Sequence, residues 1–317
     1  MWGRTDGIRQ EDLQESWRRL NEKRRKKMRK IENEFLRVEI AEAGAELTSV
    51  YDKTNGTEVL WEADGAYWKR HAPVLFPNVG KTYKNTMLIN GVQYPTSQHG
   101  FARDMEFECV SEGETSASFL LKSTEETKKR YPFDFELIIS YELTEKKIRV
   151  KWEVKNPSEE TIYFTIGGHP AFRFAGKEEG KTDYILKFPG KEALEYVLID
   201  PAEEAPHPEK IHQLTLEEEC YPVTEELFEN DALIFDGGQI EEVWLCHKDG
   251  TPYVGLKGSG FPNFGIWSVA GAPFVCLEPW MGRCDNVGFA DEISKKPNMN
   301  KLASGEIFEK DYEIIVH

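Results

Sequence analysis

The sequence predicts an all-β protein, a large antiparallel β-sandwich preceded by a short N-terminal helical extension. Three observations carry that expectation. Short runs alternate apolar and polar residues with the period of a half-buried strand. Two Asn-Gly pairs sit between β-prone runs, and no stretch alternates strands with long helices as βαβ units would.

The extension comprises residues 1–30. It carries eleven Lys/Arg against five Asp/Glu, a net of +6 in a chain whose total is −16, so the remainder carries −22. Leu13, Trp17 and Leu20 fall at helical spacing, and residues 23–30 are nearly all basic. A short solvated helix accounts for the pattern. A nucleic-acid or membrane contact is disfavoured, because no Gly/aromatic binding motif accompanies it and the body is acidic. Met28 stands just before the first strand-like run, so residues 1–27 read as a segment whose deletion the fold tolerates.

Residues 31–317 read as one domain, with 39% hydrophobic residues over the 317-residue chain to fill a core and no Pro/Ser-rich linker to divide it. Residues 35–40 and 47–51 alternate as strands. Asn55-Gly56 turns the chain into 59–61, and Asn90-Gly91 joins 87–89 to 92–94, both favouring antiparallel pairing. Further strands are expected at 107–110, 116–122, 135–143, 148–155 and 161–167. Residues 202–229 are acidic and proline-interrupted and read as a surface excursion with short helical turns around 216–220 and 225–228. Strands resume at 232–235, 242–246, 253–257, 264–268, 274–278 and 306–316.

No window has the roughly 20 apolar residues of a membrane span, and the charged N-terminus lacks a signal peptide's apolar stretch, so a soluble, cytoplasmic protein is expected. The five cysteines are odd in number and scattered, with no CxxC pair, which predicts reduced and mostly buried thiols.

Three stretches place ionisable residues among glycine, proline and aromatics: Gln98-His-Gly-Phe-Ala-Arg-Asp104, Gly167-Gly-His-Pro-Ala-Phe172 and Val275-Cys-Leu-Glu-Pro-Trp280. Each sets a His or Glu at a strand end, where a charge is costly to bury unless it is paired or used. A lone core histidine is commonly structural, so the argument rests on the three together.

Together they resemble the aldose 1-epimerase family and its LacX-like branch, which the run from Arg70 to Gly80 also matches. The similarity extends over residues 31–317 and includes Asn230-Asp231-Ala-Leu-Ile-Phe235 and Phe261-Pro-Asn-Phe-Gly-Ile-Trp267. The resemblance implies a galactose mutarotase-like β-sandwich and interconversion of the α and β anomers of an aldose. It makes His169 the acid, Glu278 the base, His99 the second active-site histidine and Asp231 a contact for sugar hydroxyls.

The chemistry is consistent with that set. A cyclic hemiacetal opens when a base takes the C1 hydroxyl proton while an acid protonates the ring oxygen, and reclosure reverses both transfers. No metal, nucleotide or redox cofactor is required, and the expected partner is a small sugar, with neither nucleic acid nor membrane; the chain is expected to be a monomer or homodimer. Attraction between His169 and Glu278 would favour their charged forms, and desolvation would oppose it. Galactose mutarotases carry Gly-Arg and Asn-Arg where this chain has Gly80-Lys81 and Lys84-Asn85. Arg70 is then the candidate replacement contact for hydroxyls or a phosphate, or else a surface arginine. Trp267 and Phe76 are candidates for the apolar face beneath a sugar ring, or else core aromatics.

Rival readings are a metal enzyme, disfavoured because no His-x-His or His-x-x-x-His spacing occurs, and a glycosidase using Glu278 and Asp231, which would leave the histidine motifs unexplained. A non-catalytic carbohydrate binder or sensor is the alternative outside enzymes. The acidic body favours a free aldose over a hexose 6-phosphate, although Arg70 and Lys81 could override it locally.

Overall fold

The computed structural model describes residues 27–176 and 178–317. Strands predominate, and every ladder is antiparallel; the one α-helix among the described residues is the single turn Glu125–Lys128. No described helix is long and apolar enough to cross a membrane.

The expected single large sandwich with a helical extension is corrected in two respects. First, the strands divide among seven sheets: one of nine strands, one of six, one of four and four two-stranded ribbons. Bulges shift the register within ladders at Glu39/Ile40, Cys109/Ser111 and Leu245/Cys246, and the described strands do not join into one continuous two-layer sandwich. Second, the helical extension cannot run to residue 30, because Met28–Glu32 is a strand paired with Leu36–Ala41. The rest of that segment, residues 1–26, lies outside the described residues.

Period-2 alternation builds the core. In the centre of the nine-stranded sheet, Lys147–Lys155 buries Ile148, Val150, Trp152 and Val154, and the adjacent Glu136–Thr144 buries Leu137, Ile139, Tyr141 and Leu143. The Asn90-Gly91 hairpin forms as read: both residues have positive φ, 51° and 75°, as a two-residue type I′ turn requires. The excursion at 202–229 is more ordered than its composition suggests. It contributes the strands Ala205–Pro206, His212–Thr215 and Cys220–Pro222, of which the last joins the nine-stranded sheet.

The six-stranded sheet positions the site. Its strand Phe274–Met281 is buried on both faces: Val275 and Leu277 point into the main core, while Phe274, Cys276, Glu278 and Trp280 project to the other side.

Candidate active site

Ladder register brings the first two site residues together. Ile166 and Gly167 pair with Met281 and Trp280, and Ala171, Phe172 and Arg173 pair with Cys276, Val275 and Phe274. Both segments share one register, interrupted at His169-Pro170, where proline has no N–H to contribute. Continuing that register sets His169 directly opposite Glu278. His169 Nε2 lies 3.3 Å from Glu278 Oε2, with side-chain exposures of 7% and 1%. The backbone N–H of His169 donates to Pro73 on the opposite side, which fixes the strand between two neighbours.

The Gly-rich flanks make room for Trp280. A Cβ on Gly265 would stand 2.3 Å from Trp280 Cζ2, and one on Gly167 would stand 2.5 Å from its Cδ1, so the indole lies flat across two glycines. Its N–H has no protein partner, and neither do Glu278 Oε2 and His169 Nδ1. Three buried polar atoms without partners around one cavity mark a place for a polar ligand.

His99 enters from the Gln98–Asp104 turn, with a left-handed φ of 66°. Its Nδ1 accepts from the Gly80 N–H at 3.1 Å, which leaves Nε2 as the donor in the neutral ring. The two imidazoles meet edge to face at 5.4 Å. Trp68 stacks on His169 at 4.8 Å, and Trp267 meets the same ring edge-on at 5.6 Å. These groups line a cavity of about 530 Å³, within the range of small-molecule sites.

Burial dominates the electrostatics. It drives His169 down to about 3, aided by the charges of Arg103 and Arg70. Glu278 is pushed well above the usual carboxylate range by burial and then by Asp231; the Trp280 indole acts in the opposite sense without reaching hydrogen-bond geometry. Despite the ion-pair distance, burial therefore favours a neutral imidazole beside a protonated carboxyl, with one proton held by the pair. His99 is likewise held neutral, by burial and then by His169, Arg103 and Arg70.

Of the residues singled out from sequence, His99, His169, Glu278, Arg70, Asp231 and Trp267 all line this cavity. Phe76 does not. It is fully buried in the main core, edge-on to Phe101 and Phe135, because its side chain faces the sheet interior. Trp68 lines the cavity and stacks on His169 where Phe76 does not, and nothing in its loop, residues 66–70, signals it. Arg103, also missed, lay inside the Gln98–Asp104 motif. Its Nε is buried without a hydrogen bond, 4.0 Å from Asp104 Oδ2, while Arg70 pairs with Asp104 at 2.7 Å and Lys81 with Glu204 at 2.7 Å. Sequence spacing also concealed a group of metal-competent side chains: ligand atoms of His169, Cys276 and Glu278 lie within 4.8 Å of one another.

The aldose 1-epimerase family profile matches residues 27–287. The LacX protein encoded on a plasmid of Lactococcus lactis subsp. lactis is 31% identical over 301 residues, covering 90% of this chain and 98% of that protein. Among solved structures, a galactose mutarotase related enzyme from Lactobacillus acidophilus superposes with a TM-score of 0.86 at 32% identity, covering 92% of this chain and 97% of the other. A galactose mutarotase-like protein from Lactobacillus casei gives a TM-score of 0.84 at 30% identity, with 92% and 100% covered. With a cavity that joins the Gln-His-Gly, Gly-His-Pro and Leu-Glu-Pro-Trp motifs and with relatives spanning nearly its whole length, the chain belongs to the aldose 1-epimerase family.

Proposed function

We propose that the protein is a LacX-like aldose 1-epimerase that interconverts the α and β anomers of a hexose, with Glu278 as base and His169 as acid. The observation that carries this reading is the buried His169–Glu278 contact of 3.3 Å at the cavity floor. The two oxygens that exchange protons, the C1 hydroxyl and the ring oxygen, are bonded to the same carbon, so acid and base must stand side by side.

Ring opening moves one proton at each end. Ionised Glu278 takes the C1 hydroxyl proton as the C1 carbonyl forms and the bond from C1 to the ring oxygen breaks; protonated His169 delivers its proton to that oxygen. The pair is left as neutral imidazole and protonated carboxyl, the arrangement burial already favours, so desolvation assists opening. Rotation about C1–C2 exposes the other carbonyl face, and reclosure returns both protons. His99 Nε2–H is available to stabilise charge developing on the ring oxygen. Trp267 and Trp68 supply apolar faces for the sugar, and Asp231 accepts from its hydroxyls.

The test is anomer exchange of free hexoses, followed by NMR and corrected for the spontaneous rate. The parent should accelerate it, and Glu278→Gln should retain sugar binding while losing roughly 100-fold or more in turnover. A variant with near-normal turnover, or a parent that turns over no aldose, ends the assignment.

A second observation favours a phosphorylated hexose within the same chemistry. Arg70, Arg103 and Lys81 all line the cavity, and burial together with the neighbouring Arg70 holds the Arg103 guanidinium down to about 10. An anion there would relieve the repulsion between the two guanidiniums and accept from Arg103 Nε, which makes no hydrogen bond and stands 4.0 Å from Asp104 Oδ2. Comparing kcat/KM for hexoses and their 6-phosphates decides between them: a phosphate preference that disappears in Arg103→Gln supports this second reading, and equal values refute it.

A further inference from the structure

We propose that His169, Cys276 and Glu278 form a binding site for a soft divalent cation of the zinc type, at which the ion blocks the proton-transfer pair and so inhibits the enzyme. The ion is an inhibitory ligand here, not a resident cofactor.

The fold assembles the three ligands. Cys276 and Glu278 are two residues apart on one strand and project to the same face, and His169 stands across the ladder from Glu278. Cys276 is fully buried between Ala171 on one neighbouring strand and Trp267 on the other, while His169 and Glu278 line the cavity itself. One nitrogen, one sulfur and one carboxylate oxygen, all within 4.8 Å, make a donor set that zinc accepts, and water from the cavity can supply a fourth position.

A second, independent feature points to a ligand. His169 Nδ1 and Glu278 Oε2 are both buried without a hydrogen-bond partner. Native interiors rarely leave two such atoms on adjacent side chains unless something binds there. The charge balance is also favourable: bound as thiolate and carboxylate, Cys276 and Glu278 meet the ion's two positive charges. Arg70 and Arg103 oppose a cation and Asp231 favours it, but all three stand outside the three-ligand cluster.

The experiment uses the full chain, stripped with a chelator and titrated with Zn²⁺ by calorimetry and with Co²⁺ as a spectroscopic probe. Expected are one ion per chain, a thiolate-to-cobalt charge-transfer band, and loss of anomer exchange on adding zinc that a chelator reverses. Cys276→Ser should abolish the band and weaken zinc binding by roughly 10-fold or more. Cys284→Ser should keep the band, since that thiol lines the cavity but lies outside the cluster. If Cys276→Ser does not fold, His169→Asn takes its place and should weaken zinc comparably. A parent without the band, or a band that persists in Cys276→Ser, overturns the proposal. These binding measurements need no turnover, so a protein inactive on every aldose would defeat the epimerase reading and leave this one standing or falling on the band alone.

Discussion

Glu278→Gln should stabilise the protein, by an amount that grows with pH. The parent carboxyl ordinarily titrates near 4.5, but burial and the Asp231 charge raise it well above that in the native chain. Between those two values the native chain holds a proton that the unfolded chain has lost, so this group's contribution to stability falls as pH rises through the window. Glutamine has no such proton, and titrations shared by parent and variant cancel in the difference. The difference, variant minus parent, should therefore rise with pH above 4.5, at a slope approaching about 1.4 kcal/mol per pH unit, until the raised native value is reached. Urea unfolding at a series of pH values, with the m-value checked for constancy, measures it. A difference that is flat from pH 5 to 7 would mean that Glu278 ionises as it does in water. One that falls with pH would mean that the carboxylate is the favoured native form and that the ion pair outweighs burial.

The same proton count predicts the pH dependence of catalysis: kcat/KM for a free hexose should show no inflection near 4.5, the ordinary carboxylate value, because burial moves Glu278 well above it and His169 down to about 3. An inflection at that position in the corrected profile would refute a coupled pair. His169→Asn should lower turnover by roughly 100-fold or more, and His99→Asn by less, since in the proposed mechanism His99 orients and stabilises but does not carry the proton; polarimetry that reverses the order exchanges their roles. Gly265→Ala should cost about 1–3 kcal/mol by urea unfolding and raise KM, because the new methyl would stand 2.3 Å from Trp280 Cζ2. An unchanged midpoint would show that the indole can move aside.

What the sequence made legible was local. Asn90-Gly91 specifies its own hairpin, since only a few residue types accept two consecutive positive φ angles, and alternation in residues 136–155 marks which side chains face the core. Sheet membership is not local. Nothing in Ile166–Arg173 states that both of its halves share a register with Phe274–Met281, so the division into seven sheets could not be read, nor could the proximity of His169, Cys276 and Glu278. Phe76 and Trp68 illustrate the same limit. Each is an aromatic in a mixed segment, and which one meets the cavity depends on which face of a sheet or loop its side chain leaves, a parity that residue identity does not carry.

The balance between attraction and desolvation in the acid/base pair was likewise open at the level of sequence, and the structure supplies the missing term. Opposite charges across a substrate would stabilise one another, but His169 and Glu278 touch directly and are almost completely enclosed. At that burial each lone charge is penalised, and the neutral arrangement is one short proton transfer from the charged one. In the proposed reaction, the charged arrangement begins ring opening and the neutral arrangement ends it. A site that burial tilts toward the neutral form therefore stabilises the open-chain side of the reaction, where the sugar has given up one proton and received another. A more exposed pair would keep its charges more readily and lose that bias, which is why the aromatic rings of Trp68 and Trp267 packed against His169 matter to the proposed chemistry: they help hold the pair out of water.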